Sequence, residues 1–361
     1  MYFIKLKLLN MVSNNIIMDR NIKILFVSPG HFFATGYGYI TREIATYLQN
    51  EGYEVHTLSN VLLSAEPEGY VLINGLKTYP KVNDNFYRDI LPVYLATIKP
   101  DIAFSIWDVW IWYVNGINYW QIWKQQIKTR WVPYVPVDAD LFEGCPIVEV
   151  LKASDHMVAM SQYGYNQLSK FFDRKDITFI PHFVDTKVFR PIDKEEAWKI
   201  IEEHFNFTKD KIEKIKERDP FIVNFVGENL SERKDIPRLM RAFKKFLNMV
   251  SVRHPKYKDR VFLQLRTNVV PVSGTSFDIY LLAKKLGLDN NIIVIANKVP
   301  KHVLNALYNV STVYASASRG EGFGIPIIES MATGKPAILP DNSAHREHIV
   351  AYGKELRGWL V

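Results

Sequence analysis

From Ile22 onward the chain alternates short β-rich apolar runs with longer stretches whose apolar positions return every three or four residues. The first run, IKILFVS (Ile22 to Ser28), reads as a buried strand and is followed by the turn-rich PGHFFATGYG. In YITREIATYLQNEG, Ile40, Ile44 and Leu48 fall on one helical face and Gly52 supplies the stop. YEVHTLS (Tyr53 to Ser59) is the next strand. Strand, glycine loop, helix and strand form a βαβ unit, which requires parallel strands and puts the glycine loop at the sheet's carboxyl edge. The same pattern predicts strands at Asp101 to Trp107, Arg130 to Val137, His156 to Ser161 and Ile177 to His182.

Between His182 and Pro220 the chain is charged, helical in period and free of strand-like runs, as a surface connector would be. A second series then predicts strands at Phe221 to Gly227, Val261 to Thr267, Asn291 to Asn297 and Thr312 to Ser318. They alternate with helices over IPRLMRAFKKFLNMV, DIYLLAKKLGL and KHVLNALYNV. The expected fold is α/β, two doubly wound Rossmann-like domains facing across a cleft. The expected boundaries are an extension over 1–20, a first domain over 21–188, a helical linker over 189–219 and a second domain over 220–361.

With 361 residues and 48% hydrophobic content, the chain is long enough for a core in each of two domains. The one cysteine, Cys145, excludes an internal disulfide and suits a reduced, cytoplasmic setting. A net charge of +7 favours anionic ligands without choosing among phosphates, nucleic acid and acidic lipid. Six of the eight tryptophans, Trp107, Trp110, Trp112, Trp120, Trp123 and Trp131, fall in one short region. Asp108, Asn115, Asn118 and Gln121 interrupt that region before the roughly 18 apolar residues of a membrane span accumulate. Core packing, a stacking wall for sugar rings and an interfacial surface remain as readings of the cluster.

Candidate chemistry concentrates in SRGEGFGIPIIESMATGKP, Ser318 to Pro336. A helix starting near Ile325 or Pro326 leaves Glu321 in the loop at the sheet edge and sets Glu329 one turn into the helix, either as a solvated glutamate and an amphipathic helix position or as two acceptor groups for one ligand. A carboxylate accepts two hydrogen bonds in a fork, which matches neighbouring hydroxyls of a ribose or hexose, and a helix amino end favours a phosphate beside them. Arg233 and Lys234, after the strand FIVNFVG, read either as a solvated surface pair or as two cations that can neutralise a diphosphate. Gly36 and Gly38 follow the first strand. They lack the third glycine and the acidic residue after the second strand that a dinucleotide fingerprint needs. Asp108 and Asp138 end strands, either to bind hydroxyls and receive a proton or to cap turns. Asp138-Ala139-Asp140 spells a metal-binding pattern, but nothing else in the chain points to a divalent site. His182 ends a strand, as a packed side chain or a ligand contact.

Ser318, Glu321, Gly322, Phe323, Gly324, Glu329, Gly334 and Pro336 together resemble the donor-site motif of the family 4 retaining glycosyltransferases (glycosyl transferases group 1, GT-B fold). ASDHMVAMSQYGYNQL, IPHFVDTKVFRP and FVGENLSERKDIPRLMRAFKKF resemble further segments of that family in the expected order, and the likeness spans residues 20 to 355. It implies a retaining, metal-independent transfer of a sugar from a nucleotide-diphosphate donor by a front-face mechanism, without a cofactor. It further implies a catalytic group of Glu321, Lys234, Arg233 and Asp108, with Lys234 as the phosphate lysine. Donor contacts implied are Gly36, Gly38, Gly322, Phe323 and Gly324, with Glu329 on the ribose and backbone around Lys298 and Val299 near the base. The second domain would hold the nucleotide sugar and the first would face the acceptor.

The chain departs from the family pattern in three places. Glu228 stands where an arginine often follows the strand's glycine, with Arg233 as the substitute charge. A histidine near Asp108 is missing, which leaves Asp108, Trp107 and Asp138 as acceptor-side candidates. The family usually continues past GKELRGWLV to a final helix, whereas this chain stops at Val361. The expected partners are a nucleotide sugar and a glycan, lipid-linked or protein acceptor, with peripheral membrane contact left open and nucleic acid not expected. The alternative is a GT-B-shaped nucleotide-sugar-binding or scaffold protein without turnover.

Overall fold

The computed structural model describes residues 22–61, 69–205, 209–229, 232–269, 276–296, 298–350 and 357–361. The extension expected over 1–20 lies outside the described residues. The chain divides into two units, Met1–His182 and Phe183–Val361.

The first unit carries an eight-stranded sheet. In chain order the strands are β1 (Lys23–Val27), β2 (Glu54–Ser59), β3 (Val71–Ile73), β4 (Leu76–Pro80), β5 (Ile102–Ile106), β6 (Arg130–Val135), β7 (Met157–Ala159) and β8 (Ile177–Phe179). Their spatial order is β8-β7-β6-β5-β1-β2-β4-β3, parallel except for β3 against β4. The expected βαβ start is present: β1 and β2 pair in parallel, and the helix Gly36–Asn50 between them buries Ile40 and Ile44. The pair β3 and β4, which periodicity does not predict, is closed by Asn74-Gly75 with φ of 52° and 79°. Asn115-Gly116, with φ of 51° and 79°, closes a second hairpin between Tyr113–Val114 and Ile117–Asn118. Both central residues of a type I′ turn need positive φ, and Asn-Gly provides them at least cost.

The tryptophan cluster is core. Trp112, Trp120 and Trp131 are fully buried, with Trp120 stacked on Trp131 at 4.4 Å and 5°. Trp110 alone of the six turns outward, at 50% exposure.

The second unit carries β9 (Phe221–Val226), β10 (Val261–Arg266), β11 (Ile292–Ile295), β12 (Val313–Ala315), β13 (Ala337–Leu339) and β14 (Gly358–Leu360). They lie in order β11-β10-β9-β12-β13-β14, parallel throughout. Numbered within the unit this is 3-2-1-4-5-6, the doubly wound arrangement. The strand order reverses between β9 and β12, and such sheets bind ligands outside the strands' carboxyl ends at that point. Strand β12 ends at Ala315, short of the expected Ser318: the Ser316 N–H still donates to the Ile338 carbonyl at 3.0 Å, and by Ser318 the backbone N–H turns to the Ser316 hydroxyl at 3.1 Å.

The stretch 189–219, expected as a surface linker, packs into this unit. Ala197, Trp198 and Ile201 of the helix Lys194–His204 are buried against Ile222, Phe262 and Leu307. Asn305 and Asn309 accept the backbone N–H groups of Arg190 and Ile192 at 3.1 and 3.0 Å. A helix with many charges still hides one apolar stripe, and composition alone conceals it.

Candidate functional site

The two loops that leave β9 and β12 at the reversal point carry the acidic and basic groups. The Arg319 N–H donates to the Arg233 carbonyl at 2.7 Å, and the Ser318 hydroxyl lies 3.1 Å from that carbonyl and 3.0 Å from the Gly320 carbonyl. These bonds fasten the β12 loop to the turn Glu232–Lys234. Asp235 then caps the helix Ile236–Arg253, accepting from the Arg238 N–H at 3.3 Å, and receives Arg319 Nε at 3.2 Å.

Glu321 is thereby brought against both cations. Lys234 Nζ donates to Oε1, while Arg233 Nη1 donates to Oε2 at 3.0 Å and to the Gly320 carbonyl at 2.7 Å. On the other side the Glu321 N–H donates to Ser343 Oγ at 2.9 Å. The Ser343 hydroxyl and His345 Nδ1 both donate to Asn342 Oδ1, at 3.0 and 2.8 Å. Burial pushes the Glu321 carboxyl upward, but the Lys234 and Arg233 charges and the Lys234 hydrogen bond outweigh it and hold the group at about 2. Burial also lowers His345 to about 4, so its ring is neutral near pH 7. The site therefore holds one fixed carboxylate between two cations.

The helix Ile325–Ala332 starts where the spacing predicts, with Pro326 in its first turn. Gly324 precedes it at φ 91°, where a Cβ would stand 2.6 Å from Ile327 Cδ1. Gly322 and Phe323 are buried, and the Phe323 carbonyl accepts from His348 Nε2 at 2.5 Å. Glu329 accepts a hydrogen bond from the Tyr308 hydroxyl at 2.9 Å. Burial raises its carboxyl to about 7, against the opposing influence of Tyr308, Lys301 and Arg266. Burial likewise raises the Tyr314 hydroxyl, and the charges of Glu321 and Glu329 both add to the effect, so the two carboxylates act on one locus.

The raised Glu329 carboxyl has a stability consequence. A group whose folded pKa lies above its ordinary value contributes stability that is complete below 4.5 and is lost as pH rises through about 7. Glu329→Gln, which cannot ionise, is expected to raise the melting temperature by about 5 °C at pH 8 and by little at pH 5. A thermal-shift series across that range reads the effect, and an equal gain at both ends contradicts it.

In the first unit the strand order reverses between β1 and β5; Gly36 and Gly38 follow β1, Trp107 and Asp108 follow β5, and Asp138 follows the next strand, β6. The Tyr37 hydroxyl donates to Asp108 Oδ1 at 3.1 Å. Sequence reasoning missed Tyr37, because a tyrosine between two glycines carries no spacing signal. Gly36 is exposed, and the Gly38 N–H is taken by Thr35 Oγ1 at 3.1 Å as a helix cap. A Cβ at Gly38 would lie 2.3 Å from the Phe33 carbonyl oxygen, so only glycine permits this backbone approach. Trp107 is buried, edge-on to Phe86 and Tyr87. Asp138 is partly buried after β6, and its neighbour Asp140 accepts from Tyr163 and Gln167.

His182 is a packed histidine, edge-on to Tyr134 at 4.9 Å and lowered by burial to about 3. Lys298 is exposed, and Val299 packs against the core beneath the helix Lys194–His204. Glu228 pairs with Arg266 at 3.3 Å. Arg266 ends β10 within electrostatic reach of Glu329, and sequence reasoning missed it, since a strand-end arginine reads as surface.

Residues 206–361 match the family model described as glycosyl transferases group 1. Comparison with curated protein sequences finds no match. Among solved structures, sucrose-phosphate synthase of Thermosynechococcus elongatus aligns with a TM-score of 0.69 at 16% identity, over 94% of this chain and 86% of that one. The catalytic domain of starch synthase IV of Arabidopsis thaliana, bound to ADP and acarbose, aligns at 0.64 and 10% identity, over 94% and 89%. A UDP-forming α,α-trehalose-phosphate synthase of Burkholderia vietnamiensis aligns at 0.63 and 9% identity, over 94% and 86%. The chain thus has the GT-B fold, built of two Rossmann-like halves, and its residues 206–361 match the group 1 glycosyl transferases.

Proposed function

We propose that the protein is a retaining glycosyltransferase of family 4 type, which moves a sugar from a nucleotide-diphosphate donor to an acceptor hydroxyl without a metal ion. The observation that carries this reading is the meeting of Glu321 with Lys234 and Arg233 at the reversal point of the second sheet. A nucleotide-diphosphate sugar needs there cations for the leaving diphosphate and an acceptor group for the sugar hydroxyls. The similar structures include one bound to ADP and one described as UDP-forming, which supports the same donor class.

In the proposed reaction the bond between the anomeric carbon and the diphosphate oxygen breaks, and a bond to the acceptor oxygen forms on the same face. The acceptor's proton passes to the departing diphosphate, so no protein nucleophile takes part. Lys234 and Arg233 stabilise the charge that grows on the leaving group. Glu321 holds the sugar hydroxyls and steadies positive charge on the ring. Glu329, beside Tyr308, accepts from the ribose. Gly322, Phe323 and Gly324 shape the donor loop, and backbone near Lys298 and Val299 meets the base. From the first unit, Asp108 and Asp138 are assigned to acceptor hydroxyls.

A panel of nucleotide sugars tested by thermal shift, followed by hydrolysis and transfer assays, tests the proposal. At least one donor is expected to raise the melting temperature and to be consumed when an acceptor is present. A donor that binds tightly but transfers to no acceptor would favour a nucleotide-sugar-binding scaffold instead. If no nucleotide sugar shifts the melting temperature, the reading fails.

A further inference from the structure

The helix Ile236–Arg253 starts beside Lys234 and runs away from the site. Its buried stripe is Ile236, Pro237, Leu239, Met240, Phe243 and Leu247, which accounts for its packing against the sheet. Three large apolar side chains in its second half lie outside that stripe. Phe246 is exposed, Met249 is 51% exposed and Val252 is 82% exposed. Phe221 extends the patch, with its ring 5.9 Å from that of Phe246.

Along the helix the charges around this patch are basic, and the exposed carboxylates near it, Asp219 beside Phe221 and Asp259 after Lys258, lie at its margin. Arg241, Lys245 and Arg253 share the exposed side of the helix, and Lys256 and Lys258 follow in the next turn. From Ile236 to Lys258 the sequence has no aspartate or glutamate. Arg238 and Arg260, at the two ends, are paired with Asp235 and Asp219, whereas among the described residues the cations between them have no carboxylate partner. A solvated helix carries polar residues opposite its buried stripe, and the grouping of Phe246, Met249 and Val252 on that side among cations departs from this pattern.

We infer that this face docks on an anionic lipid surface. Cations interleaved with exposed apolar side chains on one helix suit a bilayer interface. The cations reach the head-group phosphates, and the apolar groups enter the boundary below them. A nucleic acid would use the cations but leave the apolar patch in water. Val252 lies about 24 Å along the helix axis from its start, so the docking face is separate from the sugar-transfer site and independent of its assignment.

Co-sedimentation with vesicles of phosphatidylglycerol and phosphatidylcholine, against vesicles of phosphatidylcholine alone, tests the inference. Retention is expected on the anionic vesicles only, and it should weaken as salt is raised. The paired variants Lys245→Gln with Arg253→Gln, and Met249→Ser with Val252→Ser, should each lower retention by about tenfold. All four positions are exposed, so an unchanged melting temperature confirms that both variants fold. Equal binding to neutral vesicles, retention unaffected by either pair, or no retention at all overturns the inference. So does preferential binding to duplex nucleic acid, or a dimer in solution that the Met249→Ser with Val252→Ser pair disperses without vesicle binding.

Discussion

Glu321→Ala is expected to reduce sugar transfer by about a thousandfold or more while nucleoside diphosphate binding stays equal or tightens. The carboxylate neutralises Lys234 and Arg233, so its removal frees both cations for the diphosphate and deletes the group assigned to the sugar. Single-turnover kinetics with the best donor, together with calorimetry of the nucleoside diphosphate, separates the two effects. Transfer near the wild-type rate would remove Glu321 from the mechanism. The same change is expected to cost stability. Its carboxyl is held near 2, below the ordinary 4.5, so the stabilisation is present above 4.5 and is lost as pH falls towards 2. The deficit in melting temperature of Glu321→Ala should therefore be largest near neutral pH and shrink in acid.

Lys234→Ala is expected to weaken donor binding and slow transfer together, each by about tenfold to a hundredfold. Two losses combine: the diphosphate loses a point charge, and Glu321 keeps Arg233 as its one cationic partner among the described residues. Leaving a buried carboxylate with a missing partner typically costs about 3 kcal/mol or more, so a lower melting temperature should accompany the kinetic loss. The informative comparison is Lys234→Ala with Glu321→Ala. The first should fail at binding and the second at turnover. Equal donor affinity in Lys234→Ala and the wild type would contradict the phosphate role of this lysine.

Much of the fold was readable because its signals are local. The first βαβ unit followed from Ile40, Ile44 and Gly52, and the start of the helix at Ile325 followed from Pro326. The two Asn-Gly hairpins show less in the sequence, because their strands are only two to five residues long and carry no sustained alternation. The helical period between 189 and 219 is legible in the sequence, but the burial of those helices is not, for a different reason. Their charge is visible in the sequence, whereas the partner that covers Trp198 and Ile201 is distant in the chain.

The sequence by itself determined the kinds of element, the doubly wound series and the residue types available for donor chemistry. Only the tertiary structure decided which of them meet. Glu321 and Lys234 are 87 residues apart, and they touch because β12 returns to lie beside β9. The same holds for charge: one glutamate is fixed as a carboxylate and the other is lifted towards neutrality. Periodicity reports which face of an element is apolar, but protonation and pairing depend on what distant segments bring to that face, and chain order does not encode that separately from the fold.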